Sequence, residues 1–145
     1  MFRKILVPID GSTFSEIIFP YVRELAMNYG ASVHLVRVQG QFGYEPPLGM
    51  VLSAIPEPMQ VRPADQLEIL AEQLRLENIT TTTEVIDGHV AEGILDCANR
   101  HGADMIAMTT HGRGGINRWL LGSVADKIVH AAPVPVLLVR PDGLT

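Results

Sequence analysis

The chain of 145 residues is 47% hydrophobic and 19% charged, and its formal net charge at pH 7 is −5. This length and composition are typical of a compact globular protein, and they predict a single domain over residues 1–145. The acidic balance argues against broad binding to nucleic acid or anionic membranes, and no apolar run reaches the ~18–20 residues of a membrane span. The single cysteine excludes an internal disulfide, and the N-terminus lacks a signal-peptide pattern, so we expect a cytoplasmic protein.

Hydrophobic periodicity divides the chain into alternating strands and helices. In chain order, the predicted elements are a strand at residues 4–9, a helix at 18–29, a strand at 32–38, a long loop at 39–58, a helix at 64–77, a strand at 80–86, a helix at 90–101, a strand at 103–109, a helix at 120–132 and a strand at 135–139. Gly30 and Gly102 are expected to end the helices that they follow. The long loop is rich in glycine and proline, which indicates a segment that is either mobile or functional. The alternation predicts a mostly parallel sheet with helices on both faces.

The stretch between the fourth strand and the last helix has the composition of a phosphate-binding loop. Residues 109–123 read TTHGRGGINRWLLGS, and between Asp104 and Asp126 there are two arginines but no acidic residue. Glycines let the backbone approach an anion closely, and a helix start supplies free N–H groups and the positive end of a dipole. Two structural alternatives remain open, namely a plain flexible loop and a helix cap formed by Ser123 with Asp126.

The position of Asp10 favours a ligand site at the edge of the sheet. In open α/β sheets, ligands bind beyond the carboxyl ends of the strands, where the strand order reverses. If the first and fourth strands are neighbours there, Asp10 faces the glycine loop. Asp10 could instead only cap the helix that follows Gly11. Neither a P-loop nor a dinucleotide-binding glycine fingerprint is present in the sequence.

The histidines and the cysteine suggest neither a catalytic nor a metal site. His111 lies beside the glycine loop, but no acid–base partner for it is identifiable. The five histidines show no metal-ligand spacing along the chain, so no protein-built metal site is predicted. Cys97 lies on an apolar helix face and is expected to be an inert, buried thiol. Mg²⁺ could still arrive together with the phosphates of a nucleotide.

Three segments together resemble the universal stress proteins, and the resemblance covers essentially the whole chain. The segments are KILVPIDGS, DMIAMTTHGRGG and LLGSVADKIVHAAPVPVLLVRP. The nucleotide-binding branch of that family carries the motif Gly-x2-Gly-x9-Gly-Ser/Thr. Gly112, Gly122 and Ser123 fit the motif, whereas Thr109 stands in place of its first glycine. The side chain of Thr109 could narrow the pocket or could hydrogen-bond the ribose.

The resemblance implies a three-layer α/β sandwich whose five-stranded parallel sheet has the order 3-2-1-4-5. It also implies that ATP, or ADP or AMP, binds between the first and fourth strands, with Mg²⁺ accompanying the nucleotide. Carried over residue by residue, Pro8, Ile9 and Asp10 line the adenine and ribose, Val38 meets adenine through its backbone, Met108 and Thr109 flank the ribose, and Gly112, Arg113, Gly115, Gly122, Ser123 and Val124 surround the phosphates.

The resemblance further implies a homodimer formed through the last strand, Val136–Val139. This apolar strand would otherwise be an exposed sheet edge, which pairing with a second copy removes. The expected function is that of a cytoplasmic, nucleotide-dependent regulator in a stress response that acts on an unidentified protein partner. Two alternatives remain, a homodimeric interaction module that binds no nucleotide and a slow ATPase.

Overall fold

The computed structural model describes residues 1–13, 15–40, 61–110 and 122–141. Five strands lie within them: β1 (Lys4–Pro8), β2 (Ser32–Gln39), β3 (Thr81–Asp87), β4 (Met105–Thr109) and β5 (Val136–Val139). They form one sheet in the order β3-β2-β1-β4-β5, and every neighbouring pair is parallel. The predicted sheet order is therefore confirmed.

Helices connect the strands as the periodicity predicts. The described helices are α1 (Phe19–Tyr29), which follows a 3-10 turn at Ser15–Ile18, then α2 (Pro63–Leu76), α3 (Val90–His101) and α4 (Ser123–Ala131). Gly30 and Gly102 end α1 and α3 with φ angles of 64° and 63°, the left-handed conformation that glycine adopts without strain. Among the described helices, none is both long and apolar enough to cross a lipid bilayer.

The helices cover both faces of the sheet because side chains alternate along each strand. Ile5 and Val7 of β1 pack into a hydrophobic cluster with α1 and α2. Leu6, between them, packs into a second cluster with α3 and α4, which we call the α3–α4 cluster. These two clusters make the three layers of the predicted α/β sandwich.

The pairing of β1 with its two neighbours differs in extent. β1 pairs with β2 over five residue pairs, up to Pro8 with Val36. It pairs with β4 over two, Ile5 with Met105 and Leu6 with Ile106. Because the chain places β2 and β3 on one side of β1 and β4 and β5 on the other, the strand order reverses between β1 and β4. Such a reversal marks the usual position of the ligand crevice in an open α/β sheet, and we call the region between the carboxyl ends of β1 and β4 the crevice.

Several boundaries differ from the sequence prediction. β1 ends at Pro8 rather than at residue 9, and β4 begins at Met105 rather than at residue 103. Asp104 precedes β4 because its carboxylate accepts hydrogen bonds from the backbone N–H groups of Arg3 and Lys4, at 2.8 and 3.2 Å. β5 lies at the end of the strand order, so the predicted edge position is confirmed. The predicted long loop lies outside the described residues from position 41 onward, as do residues 120 and 121 of the last predicted helix.

Candidate functional site

The carboxyl end of β1 turns sharply away from the sheet. Ile9 is buried, and its N–H donates to the carbonyl of Val36 at 2.8 Å. Asp10 is exposed, and its Oδ1 accepts hydrogen bonds from the backbone N–H of Ser12 at 2.8 Å and from the Ser12 hydroxyl. The Ser12 hydroxyl oxygen in turn accepts from the N–H of Ser15 at 3.2 Å. Asp10 therefore closes a local turn with Ser12, and it is the Ser12 hydroxyl that contacts the start of the 3-10 turn, so the predicted helix cap by Asp10 is wrong. The role of Asp10 toward a ligand stays a prediction.

A guanidinium group lies against this turn, and the sequence analysis did not single it out. Gly11 has a φ of +87°, and a Cβ placed on it would come within 2.7 Å of Nη1 of Arg37. That Nη1 donates to Oε1 of Gln66 at 2.9 Å, and Nε2 of Gln66 donates to the carbonyl of Gly11 at 3.4 Å. Arg37 thus holds a permanent positive charge beside the end of β1. The available signal was a basic residue immediately before Val38 at the end of a strand.

The carboxyl end of β4 supplies the other wall of the crevice. Met108 is buried and Thr109, the last residue of β4, is half-buried. Thr109 is in register with Val139 of β5, and the next N–H, that of Thr110, donates to the Val139 carbonyl at 2.9 Å. The backbone of Thr109 is therefore fixed on the β5 side.

Helix α4 begins at the same edge of the sheet. It connects β4 to the parallel strand β5, so it runs back from the carboxyl to the amino edge. Its N-cap is Gly122, whose carbonyl accepts the first helical hydrogen bond from the N–H of Asp126 at 2.9 Å. Ser123 is the first helical residue, so the capping box that its spacing to Asp126 suggested is wrong. A capping box needs the hydroxyl at the N-cap, which here is a glycine.

The structure brings several of the predicted site residues together. Val38, Met108 and Val124 contribute to the same α3–α4 cluster, although they come from β2, β4 and α4. Pro8 and Thr109 end the two strands that flank the crevice. Gly112, Arg113 and Gly115 lie outside the described residues, together with His111.

A second group of polar side chains lies where α3 packs on β2 and β3, on the other side of β1 from β4. It consists of His34, Glu84, Cys97 and His101, which we call the His–Cys cluster. Burial by itself would raise the pKa of Glu84, yet hydrogen bonds from His101, Arg100 and His34 outweigh burial and lower that pKa to about 2. Burial, with a contribution from the Glu84 carboxylate, raises the pKa of the Cys97 thiol to about 12. The expected burial of the Cys97 thiol is confirmed.

Comparisons with known proteins agree on one family. The sequence model of the universal stress protein family matches residues 1–140. A universal stress protein of Thermus aquaticus, encoded in the 3′ region of a QAH/OAS sulfhydrylase gene, is 33% identical over 146 residues, covering 97% of this chain and 100% of that protein. The universal stress protein MJ0531 of Methanocaldococcus jannaschii is 28% identical, covering 97% of this chain and 83% of the relative.

Solved structures give the same result for the fold. UspA of Lactobacillus plantarum superposes with a TM-score of 0.76 at 25% identity, covering 96% of this chain and 98% of that one. The protein MJ0577 gives a TM-score of 0.78 at 25% identity, covering 97% and 96%. A universal stress protein solved in complex with cAMP gives 0.65 at 15% identity, covering 97% and 98%, which supports the fold alone.

Proposed function

Because the chain belongs to the universal stress protein family, we propose that it binds an adenine nucleotide between the carboxyl ends of β1 and β4 and acts as a nucleotide-dependent regulator in the cytoplasm. The observation that carries the proposal is the short pairing of β1 with β4, over two residue pairs, at the point where the strand order reverses. Such a switch point is the usual ligand site of an open α/β sheet.

The residues at this edge fit the parts of a nucleotide. The carboxyl ends of β1 and β4 offer backbone groups and apolar side chains, among them Pro8 and Met108, to the nucleoside. Gly122 has no side chain to cap α4, so the N–H groups of the first turn, including those of Ser123 and Val124, suit an anion. Arg37 adds positive charge beside Gly11. Mg²⁺, when it binds, would arrive on the phosphates and neutralise part of their charge.

Thr109 decides how much room the crevice offers. Alternation along β4 places its side chain on the sheet face of Ala107 and opposite Met108, because Ala107 packs toward α1 and α2 while Met108 belongs to the α3–α4 cluster. A glycine at this position would remove a β-branched side chain from the α1 side of the crevice. We therefore expect Thr109→Gly to bind ATP more tightly than the wild type.

The test is calorimetric titration of the nucleotide-free chain with Mg–ATP, ADP, AMP and cAMP. Gly122→Leu should weaken binding by at least about tenfold, which corresponds to ~1.4 kcal/mol, because the added side chain would stand over the first turn of α4. Ala131→Leu introduces the same side chain at the exposed far end of the same helix and should leave affinity unchanged. Absence of binding by the folded wild type, or unchanged affinity in Gly122→Leu, would contradict the proposal.

The same titration separates the two alternatives. An interaction module predicts no heat and no shift in melting temperature with any of the nucleotides. A slow ATPase predicts binding of ATP followed by multiple turnovers to ADP, which chromatography of the reaction products would detect. In the regulatory proposal, bound nucleotide shifts the population between two states of the protein, and a partner protein distinguishes those states.

We also propose that a second copy pairs with the outer edge of β5, the last strand in the sheet order of the described residues. The carbonyl oxygens of Pro135 and Val139 point toward β4. They accept hydrogen bonds from the N–H groups of Ile106 and Thr110, at 3.0 and 2.9 Å respectively. By alternation, Val136 and Leu138 direct their backbone groups outward. Val136→Pro removes one outward N–H at the first strand position, where proline is tolerated, and should weaken the dimer. Val136→Ala keeps that N–H and is the control in sedimentation measurements, and an equally stable dimer in both variants would contradict this interface.

A further inference from the structure

The His–Cys cluster gathers four potential metal ligands from three elements. His34 comes from β2, Glu84 from β3, and Cys97 and His101 from α3. One ligand atom of each residue lies within 4.8 Å of the ligand atoms of all the others. Cys97 and His101 are four residues apart, so they project from the same face of the helix. The nucleotide proposal uses none of these residues, and His34 precedes Val38 by four positions, or about 13 Å along the strand.

The other three groups converge on one carboxylate oxygen of Glu84. Oε1 of Glu84 lies 3.2 Å from Nε2 of His34, 2.9 Å from Nε2 of His101 and 3.6 Å from Sγ of Cys97. In a tetrahedral zinc site, bond lengths of ~2.0–2.3 Å separate neighbouring ligand atoms by about 3.3–3.7 Å. The contacts to Oε1 are already close to that range. The widest pair, at no more than 4.8 Å, needs a side-chain adjustment of about 1 Å to reach it.

From this convergence we propose that His34, Glu84, Cys97 and His101 form a zinc-binding site that ties α3 to strands β2 and β3. Two imidazoles, a thiolate and a carboxylate are the ligand types that zinc takes in proteins. The thiolate favours zinc over magnesium or calcium, which prefer oxygen ligands. One thiolate and one carboxylate together balance the two positive charges of the ion.

Neighbouring groups already orient the ligands. Nδ1 of His34 lies 2.6 Å from the hydroxyl of Thr82, which can donate to that nitrogen or accept from it. When zinc takes the Nε2 position, the ring proton moves to Nδ1 and is donated to Thr82. The other carboxylate oxygen of Glu84 accepts from Nη2 of Arg100 at 2.9 Å, and Asp96 pairs with the same guanidinium, also at 2.9 Å. Such outer contacts fix the orientation of metal ligands.

The His–Cys cluster is buried on one side and accessible to solvent on the other. The side chain of His34 is 4% exposed and Cys97 is fully buried, whereas Glu84 and His101 keep 26% and 32% of their side chains exposed. The two exposed ligands give the ion a path from solvent, and the two buried ligands exclude water from one side. The rings of His34 and His101 pack against each other, with centroids 3.9 Å apart and planes inclined at 32°, and the Nε2 atom of each contacts Oε1 of Glu84. Binding of zinc displaces the thiol proton of Cys97 to the solvent.

The experiment is a competition titration of the full, untagged chain with zinc against a chromophoric chelator, after the protein has been stripped of metal. We expect one zinc per chain. Cobalt serves as the spectroscopic probe, because a thiolate ligand gives a charge-transfer band in the near ultraviolet and tetrahedral coordination gives intense bands in the visible. Cys97→Ser should abolish the charge-transfer band, and Thr82→Val should weaken zinc binding by about 10–100-fold.

Two further variants keep the result interpretable. The side chain of His101 is half-exposed, so the His101→Gln variant should fold. It should lose more zinc affinity than Thr82→Val does. His130→Gln changes an exposed histidine on α4 that lies outside the cluster, and it should bind zinc as the wild type does. Circular dichroism verifies that each variant is folded. Failure of the folded wild type to bind zinc, unchanged binding in Cys97→Ser and His101→Gln, or loss of binding in His130→Gln would overturn the proposal. None of these outcomes depends on whether the chain binds a nucleotide.

Discussion

Polar groups are satisfied in different ways at the end of β1 and where α3 packs on β2 and β3. At the end of β1, Asp10 bonds to Ser12, only two residues away, and β1 and β4 pair with each other over two residue pairs. Under α3, Glu84 bonds to His34 and His101, which are 50 and 17 residues away in the chain. The bond of Asp10 shapes a local turn, whereas the bonds of Glu84 join α3 to β2 and β3. We therefore expect the bonds of Glu84 to contribute more to the stability of the fold than the bond of Asp10 does.

The largest expected effect is that of removing the Glu84 carboxylate from the His–Cys cluster. Glu84→Ala leaves His34 buried without the group that its Nε2 contacts, and it deprives His101 and Arg100 of an acceptor. A buried polar group without a partner costs about 1–3 kcal/mol, and we expect a loss of about 2 kcal/mol because Glu84 is partly solvated. Urea unfolding in the presence of a chelator measures it without a contribution from metal.

A double-mutant cycle sharpens that prediction. Glu84→Ala and His101→Ala should not be additive, because the two side chains share one hydrogen bond at 2.9 Å. Thr83 lies beside Glu84 on the same strand, but its hydroxyl bonds to Glu68 on the other face of the sheet. Thr83→Ala is therefore the matched control, and its effect should be additive with that of His101→Ala. Additive effects for Glu84 and His101 would show that the cluster does not hold α3 to the sheet.

The next effect concerns the close approach of α3 to β2. A Cβ on Gly93 would lie 2.9 Å from both methyl carbons of Val38. Overpacking costs about 1–3 kcal/mol, whereas the higher helix propensity of alanine offsets about 1 kcal/mol of that cost. Gly93→Ala should therefore lower the free energy of unfolding by about 1 kcal/mol. In a Val38→Ala background the same change should stabilise the protein. Thermal unfolding of the four variants checks the reversal, and stabilisation by Gly93→Ala in the wild-type background would contradict the close packing.

The smallest effect is expected at the carboxyl edge. Asp10→Ala removes the acceptor for the N–H and the hydroxyl of Ser12 and should cost about 0.5–1 kcal/mol, as the loss of an exposed hydrogen bond does. Asp10→Asn keeps a side-chain oxygen and should retain wild-type stability in urea unfolding. If Asp10→Asn nevertheless weakens nucleotide binding, Asp10 contacts the ligand in addition to closing the turn. Equal loss of stability in both variants would contradict the role of Asp10 in the turn.

Short sequence patterns predict most of the helices and strands, because each of these features depends on a few neighbouring residues. The helix ends at Gly30 and Gly102 follow from one residue each, since only glycine takes the left-handed conformation without strain. Strand ends are less predictable because they depend on contacts with other segments. The start of β4 moves to Met105 because Asp104 bonds to the backbone of Arg3 and Lys4, a hundred residues away.

The candidate site was predictable in part. The sequence motifs single out Asp10, Gly122 and Ser123, and the crevice between β1 and β4 follows from the strand order. The position of Arg37 against Gly11 was not predictable, because it depends on the register of β2 beside β1 and on the contact with Gln66 of α2. The capping role of Ser123 fails by one residue, because the helix begins one position earlier than the motif suggests, with Gly122 as its N-cap.

The sequence by itself determined the order of strands and helices, the helix ends at glycine and the family resemblance. Each of these depends on short segments of the chain. Only the tertiary structure decided which polar side chains meet. His34, Glu84 and Cys97 lie in separate segments, and they come together because Val36 is in register with Glu84 and α3 packs across β2 and β3. Strand register and helix docking are set by packing of the whole core. They therefore cannot be read from the spacing of residues along the chain.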